Sequence, residues 1–173
     1  EPLGRWLAQD DAVVRALAAF ELRRHTRPGA IRLGVEALGR ERDPVVLGCL
    51  LGSLGGRPRA DLVAEGGSVL PALLLGLVEH PHPVLRARAW EILRRLPARD
   101  PGPDLEAWQR WWLGARDGLV AEQKALLAGR REAAEAKAKK EAEARGLAPE
   151  EGRTTPGGPP DDELFGRLQA LRK

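Results

Sequence analysis

Apolar residues recur at helical spacing through the first hundred residues, and no segment alternates between apolar and polar residues in the two-residue period of a strand. The clearest helix starts at Pro83, which suits the first turn because its missing N–H would have no partner there. One face of this helix is apolar, at positions i, i+4, i+7, i+8 and i+11: Leu85, Ala89, Ile92, Leu93 and Leu96. We therefore predict an amphipathic helix that stops before Pro97.

The opening of this helix occurs three times in the chain. A polar residue that can cap a helix is followed by Pro or Ala and then by two aliphatic residues, at Asp11, Asp43 and His82. The intervals are 32 residues, from 11 to 43, and 39 residues, from 43 to 82. A partner helix is predicted before each of the last two openings, at residues 30–38 and 69–78. Such helix–turn–helix units cannot bury their apolar faces alone, so neighbouring units must stack.

These repeated openings resemble the second helix of HEAT-like repeats, which are armadillo-like, of the short bacterial type related to phycobilisome-lyase repeats. The shared pattern is Asp or His, Pro, any residue, an aliphatic residue, Arg, two further residues and Ala. It covers residues 1–97 as about 2.5 repeats. The resemblance implies a short right-handed α-solenoid of HEAT-like helical hairpins. The residues that follow predict a long charged helix and a disordered tail, so the predicted fold is all-α.

In HEAT-like repeats, an Asp in the turn and a following Arg form a ladder that links successive repeats. Asp11 and Arg15 match both positions. In the second copy the Asp is present as Asp43, but Leu47 stands at the Arg position. In the third copy the Arg is present as Arg86, but His82 stands at the Asp position. The resemblance therefore implies a partial ladder.

Four glycines interrupt the second of the three repeated helices: Gly48, Gly52, Gly55 and Gly56. Each glycine costs about 0.5–1 kcal/mol relative to Ala in a helix interior. The rest of the segment is almost entirely apolar. We therefore expect this helix to be stabilised mainly by packing on both sides.

A tryptophan-rich segment, residues 98–127, follows the repeats. Asp104 is a good N-cap after a run of Pro and Gly residues. Apolar residues then form one helical stripe, which we expect to cap the open end of the repeat stack: Leu105, Trp108, Trp112, Ala115 and Leu119. Trp111 lies off that stripe, and because Trp is common at binding hot spots it is a candidate partner-binding residue.

The remainder of the chain is charged and poor in large apolar residues. Residues 128–146 predict a solvated charged helix with Glu-to-basic pairs one turn apart, such as Glu135 with Lys139. Gly, Pro and Thr are frequent in residues 147–160, which predicts a disordered linker. Residues 161–173 predict a short amphipathic helix that leads into, or docks on, a further domain. Because the sequence contains no Met, we expect a processed product or a piece of a longer protein, and the resemblance implies a bacterial one.

Charge and composition favour a binding protein over an enzyme. The net charge of +3 comes from 28 basic and 25 acidic residues that are interleaved, so no nucleic-acid surface is predicted. Cys49, the only cysteine, lies in an apolar run where a buried side chain is expected. His80 and His82 flank a turn without a third metal ligand. The sequence shows no nucleophile motif, phosphate loop, cofactor site or apolar run of about 18 residues that would span a membrane.

We predict a non-catalytic protein-interaction or scaffold module of a larger bacterial protein. The partner-binding candidates are Arg88, Glu91 and Arg95, on an exposed face of the third repeated helix, together with Trp111. One alternative is a DNA-binding or DNA-glycosylase-like HEAT-repeat protein, in which Arg88, Arg95 and Trp90 would face DNA. Another is an intramolecular spacer beside a further domain, such as a von Willebrand factor type A domain. No targeting segment is visible, which favours the cytoplasm without fixing the compartment.

Overall fold

All regular secondary structure in the described residues is helical. The structure, a computed structural model, describes residues 2–25 and 27–145, without the side chain of Pro28. Among these residues, those up to Arg130 form one compact unit and those from Arg131 belong to a second. The helices of the described residues are α1 (Pro2–Trp6), α2 (Ala12–Glu21), a 3-10 helix (Leu22–Arg24), α3 (Pro28–Arg40), α4 (Pro44–Gly55), α5 (Arg59–Gly66), α6 (Val69–Leu77), α7 (Pro83–Leu93) and α8 (Leu105–Ala144). The all-α prediction is confirmed.

Three of these helices, α2, α4 and α7, begin at the repeated openings. The Asp11 carboxylate accepts a hydrogen bond from the backbone N–H of Val13 (2.7 Å), and the Asp43 carboxylate accepts one from Val45 (2.8 Å). These bonds satisfy N–H groups that have no intrahelical partner in the first turn. His82 precedes α7 without a side-chain cap bond, and the Pro that follows it occupies the first turn as predicted.

Helices α2, α4 and α7 pack side by side as one layer. α4 and α7 run in the same direction, because Gly48 lies opposite Leu85 and Gly55, seven residues later, lies opposite Ile92. Added Cβ atoms at these two glycines would lie 3.7 Å and 3.9 Å from the facing side chains, an ordinary van der Waals distance. An alanine would therefore fit at either position, and the close approach does not depend on glycine. Apolar packing against α2 and α7 offsets the weakness that the sequence predicts for α4.

α2 runs parallel to α4 as well. At one end, Val13 near the start of α2 and Val45 near the start of α4 line the same groove. At the other end, Arg57 just after α4 donates a hydrogen bond to the carbonyl of Leu22 just after α2. The three repeated helices therefore present their N-termini at one edge of the layer and their C-termini at the other.

A second layer is formed by α3, α5 and α6. α3 packs against α4, α5 and α6, and α6 packs against α7. α3 and α6 are the partner helices predicted at residues 30–38 and 69–78, and both are confirmed. The core draws on both layers, and its largest fully buried side chains include Leu22, Leu50, Leu51, Leu54, Leu62, Leu70, Leu74, Leu85, Ile92 and Leu93.

The helix α5 was not predicted from the sequence. It meets α6 at an angle of 104°, and Gly67 in the junction has φ +50°, a backbone conformation that favours glycine. Among the described residues, no single helix has the length and apolar character of a membrane span. Helices α5 and α6 have that length and apolar character only when taken together, and the chain bends between them. The five-residue helix α1 was also not predicted.

The tryptophan-rich segment forms the first part of α8. Trp108 and Leu119 are buried, and the other three members of the predicted stripe are half-buried against the core. α8 continues without a break to Ala144, through the boundary that the sequence places between residues 127 and 128. The linker and amphipathic helix predicted at residues 147–160 and 161–173 lie outside the described residues.

The ion pair that joins the first two repeated helices differs from the one implied by the resemblance. Arg15 pairs with Glu41, with 2.8 Å between Nε and Oε2, whereas Asp11 and Asp43 cap their own helices. A second bond joins Arg15 Nη2 to Glu41 Oε1 at 3.2 Å. Because Glu41 lies two residues before the α4 cap, its longer side chain reaches back to Arg15 while Asp43 remains free to cap.

Candidate protein-interaction surface

Equivalent positions on α2, α4 and α7 expose a valine. Val13, Val45 and Val84 each follow the capping residue of their helix by two positions, and they are 67%, 66% and 50% exposed. Because the three helices lie side by side with their N-termini at one edge, these valines form a row across the layer. Apolar side chains are thus presented to solvent by all three repeated helices.

On α2 the exposed apolar surface extends along the helix. Val13, Leu17 and Phe20 follow one another at i, i+4 and i+7, and the latter two are 62% and 47% exposed. Together with Val45 and Cys49 of α4 they line an open apolar groove of about 410 Å³, which we call the α2–α4 groove. Cys49 is half-buried there, whereas the sequence predicted a buried side chain.

A second depression lies at the C-terminal end of the same face and is more polar. It has a volume of about 330 Å³, and we call it the arginine pit. Its lining residues are Arg23, Leu51, Gly52, Gly55, Gly56, Arg88, Glu91 and Ile92. Arg23 lies three residues beyond Phe20, and its guanidinium carbon is 6.0 Å from the centre of the Phe20 ring. The α2–α4 groove therefore leads towards the pit along α2.

The structure brings two of the predicted partner-binding residues, Arg88 and Glu91, together in the arginine pit. Arg88 is exposed, and its Nη1 donates a hydrogen bond to the Gly48 carbonyl (2.6 Å). Glu91 is exposed and forms no ion pair within the described part of the chain. Arg95 does not line the pit. Its guanidinium donates to the carbonyls of Gly55, which does line the pit, and of Arg57.

Arg95 belongs to a set of arginines that donate to backbone carbonyls at or just beyond helix ends. The last carbonyls of a helix have no intrahelical donor, so a guanidinium is a suitable partner for them. Arg57 serves the carbonyl of Leu22, and Arg59 donates to the carbonyl of Leu96 (2.8 Å). Sequence reasoning missed this role, because each arginine is more than thirty residues from its acceptor.

Trp111 lies in an aromatic cluster and does not line the groove or the pit. Its ring meets Trp108 edge-to-face, with 5.8 Å between centroids and 73° between planes. Trp108 in turn meets Trp90 of α7 at 5.3 Å and 78°, and its Nε1 donates to the Gly102 carbonyl (2.9 Å). Trp111 is half-buried by this packing, so part of its ring remains open to solvent.

The Arg15–Glu41 pair fixes the N-terminal edge of the layer. The Glu41 side chain is 8% exposed and also accepts hydrogen bonds from the backbone N–H groups of Asp43 (2.9 Å) and Arg42 (2.8 Å). The Arg15 guanidinium, followed by these two backbone donors, lowers the pKa of Glu41 from its usual 4.5 to about 2. The Glu41 carboxylate therefore stabilises the fold by linking α2 to the turn before α4.

A polar set of contacts joins α8 to α5. Arg59 forms two bonds to the Glu122 carboxylate, one of them 3.0 Å long, and Gln123 Nε2 donates to the Ala64 carbonyl (3.0 Å). Arg130 binds Glu65 (2.9 Å) and also Asp61. The Arg59 guanidinium lowers the pKa of Glu122. We call these contacts the α8 latch.

A larger apolar groove, of about 540 Å³, lies beside α1. Leu3 and Trp6 form one wall, Leu33 of α3 lies on another, and Glu21 and His25 stand on its rim. These side chains form no arrangement of nucleophile and base.

Among the described residues, no three His, Cys, Asp or Glu side chains are grouped so that they could hold one metal ion. His80 Nδ1 accepts a hydrogen bond from the backbone N–H of His82 (3.1 Å), which is a contact within the turn. A search of family models, of curated proteins and of solved structures finds no match to this chain. The HEAT-like family therefore remains a prediction from the repeated residues.

Proposed function

We propose that this chain is a non-catalytic interaction module, built from HEAT-like helical repeats, that binds a protein partner through the α2, α4 and α7 face. The observation that carries this proposal is the contiguous exposure of Val13, Leu17 and Phe20 beside Val45. Single exposed apolar residues are common on soluble proteins. A contiguous apolar patch with a polar rim is instead typical of an interaction site.

Protein is favoured over nucleic acid by the way the arginines of this face are used. Arg95 donates to two backbone carbonyls and Arg88 to one, so these guanidiniums are partly occupied within the chain. Binding to duplex DNA requires a broad cationic surface that neutralises several phosphates. The exposed surface of the groove is apolar, which suits a protein partner better.

Binding is also favoured over a purely intramolecular spacer. A spacer needs a stable core and a polar surface, and nothing in that role requires large apolar side chains to remain exposed on one face. Burial of apolar surface contributes about 25 cal/mol for each Å² removed from water, so covering Leu17 and Phe20 would provide part of a partner's affinity.

The test compares one substitution in the groove with a matched substitution outside it. The full chain, its Leu17→Glu variant and its Leu113→Glu variant are immobilised and exposed to an extract of the source organism. Leu17 and Leu113 are 62% and 72% exposed, and Leu113 lies on α8 outside the groove. A protein retained by the wild type and by Leu113→Glu but not by Leu17→Glu supports the proposal. Equal retention by all three, or retention of nothing, overturns it.

A further inference from the structure

We propose that the α2–α4 groove receives one amphipathic α-helix from a protein partner, with acidic residues of that helix at the arginine pit. This inference rests on the proposed interaction function and specifies the chemistry of the partner. It joins three observations: the apolar spacing along α2, the uncharged surface of α4, and the cations at one end of the groove.

The groove has the shape that a helix fills. α2 and α4 form its two parallel walls, and its lining on α2 runs from Ala12 to Phe20, which is about 12 Å at 1.5 Å per residue. Val13, Leu17 and Phe20 line one wall at one-turn intervals, while Val45 and Cys49 line the other. About two turns of a partner helix cover this length and present apolar residues at i, i+3 or i+4, and i+7, and a further turn reaches the arginine pit.

A helix is favoured over an extended peptide by the backbone hydrogen bonds. Both walls of the groove are helices, whose interior N–H and C=O groups already bond within the helix. An extended peptide would find no sheet edge here and would lose water from its own backbone groups without gaining partners. A helical partner satisfies its backbone internally and needs only apolar side chains to bury.

Charge is distributed unequally along the groove. α4 carries no charged residue between Pro44 and Gly55. At the N-terminal end, the Asp43 carboxylate is engaged in capping. At the other end, Arg23 and Arg88 form no ion pair within residues 2–25 and 27–145, and Glu91 is the one carboxylate that lines the same pit.

The arginines at one end of the groove favour a negatively charged residue of the partner at that end. Two guanidiniums and one carboxylate leave the arginine pit with a net positive charge, so an acidic residue placed there gains charge-assisted hydrogen bonds. Arg23 forms no side-chain hydrogen bond in the described part of the chain, and three of its nitrogen atoms are therefore open to a partner. A basic residue placed at the same point would meet like charges.

The experiment uses a 16-residue random-peptide library displayed on phage and selected on the immobilised full chain. We expect enriched sequences to carry apolar residues at i, i+3 or i+4, and i+7, with Asp or Glu at one end. One enriched peptide is then synthesised. Its affinity should fall at least about tenfold for Leu17→Glu, fall about threefold to tenfold for Arg23→Glu, and remain unchanged for Leu113→Glu.

Cys49 supplies an independent readout at the groove. It is the only cysteine in the chain, and it lines the groove half-buried, so its reaction with a maleimide reports on this wall alone. We expect the bound peptide to slow that reaction.

Arg23→Glu is preferred to a change at Arg88, because Arg88 also bonds to the Gly48 carbonyl and its loss would disturb the α4–α7 contact.

Several results would overturn the inference while leaving the proposed function intact. One is the enrichment of peptides without acidic residues. Another is a peptide affinity that neither Leu17→Glu nor Arg23→Glu lowers. A third is an unchanged rate of Cys49 modification in the complex. A dimer in sedimentation that Leu17→Glu dissociates would show a second copy as the occupant, which also overturns it. If no peptide is enriched, but the wild type still retains a protein from the extract that Leu17→Glu does not retain, only the inference about a helical partner fails. If both assays yield nothing, the proposed function fails with it.

Discussion

Helices α4 and α8 have nearly opposite compositions and are held in place by opposite means. α4 has no charged residue in its twelve positions, and six of its side chains are buried. α8 has forty residues, many of them charged, and only Trp108 and Leu119 are buried. α4 contains glycines that weaken an isolated helix, so its stability comes from its neighbours. α8 is rich in Ala, Glu, Lys and Arg, which favour a helix without any neighbour.

The contacts of the two helices differ in the same way. α4 contacts α2 and α7 through close apolar packing, which excludes water and does not depend on salt. The part of α8 near residues 122–130 contacts α5 through the α8 latch, whose charged groups are partly exposed. Exposed ion pairs contribute little each and are screened by salt. We therefore expect disruption of α4 to unfold the first unit, and disruption of the latch to release a segment of α8 locally.

The largest expected effect is in the core around α4. Leu50 has no exposed surface, so Leu50→Ala should lower the free energy of unfolding by about 3–4 kcal/mol through lost burial and a residual cavity. Urea unfolding followed by circular dichroism measures this change. Leu113→Ala is the matched control, since Leu113 is 72% exposed and the substitution should change the stability by less than about 0.5 kcal/mol. Equal effects of the two substitutions would contradict the packing account of α4.

The next effect concerns the edge that joins α2 to α4, and it depends on pH. Because the folded state lowers the pKa of Glu41 to about 2, the stabilisation is fully present above about pH 4.5 and is lost as the pH falls towards 2. Glu41→Gln should therefore cost about 2 kcal/mol at pH 7 and much less near pH 2.

The control for Glu41 is Glu36→Gln, whose carboxylate lies on the surface 3.9 Å from Arg32. This variant should change the stability by less than about 0.5 kcal/mol at any pH. Urea titrations of both variants at several pH values between 2 and 7 separate the two cases. A cost of Glu41→Gln that is the same at every pH would show that the ion pair is not its cause.

A smaller effect is expected at the α8 latch. Arg130 binds Asp61 and Glu65, and the Glu65 side chain is 8% exposed, so Arg130→Gln leaves a poorly solvated carboxylate without its partner. We expect a cost of about 1 kcal/mol that shrinks in 1 M salt, with faster hydrogen exchange in α8 near this residue.

The neighbouring residue provides a matched control for the latch. Arg131 forms an i,i+4 pair with Glu135 on the exposed surface of α8, and Arg131→Gln should cost only about 0.3 kcal/mol. Hydrogen exchange resolved by residue distinguishes local release of α8 from global unfolding. If Arg130→Gln accelerates exchange equally in α4, the two regions are coupled more tightly than their contacts indicate.

The smallest expected effect is a gain in stability. A Cβ atom added at Gly114 of α8 meets no atom within 4 Å, so Gly114→Ala should stabilise the helix by about 0.5 kcal/mol. At Gly52 of α4 the same atom would lie 3.0 Å from Arg88 Nη1. Gly52→Ala should therefore gain less, or lose stability. Thermal unfolding of both variants measures the difference, and an equal gain at both sites would remove the steric reason for glycine in α4.

The sequence predicted the repeated helices well because their signals are local. Asp43, Pro44 and the aliphatic residues after them specify a cap, a first turn and a buried face within about one turn of chain. α5 was missed, since its eight residues give too short a pattern to distinguish a helix from a loop. The partner of Arg15 was not predicted, because Glu41 and Asp43 are both acidic and only the packing of α3 and α4 selects between them.

Residue types and their spacing thus determined by themselves that the described chain is helical, where its repeated helices start, and that α8 changes character along its length. Tertiary structure alone decided what the arginines do and which apolar residues stay exposed. Arg95 reaches a carbonyl forty residues away, and Val13 is exposed where Leu22 is buried, although both are aliphatic. Helical spacing specifies one apolar stripe for each helix, but the neighbours that cover it are chosen by packing between residues far apart in the sequence.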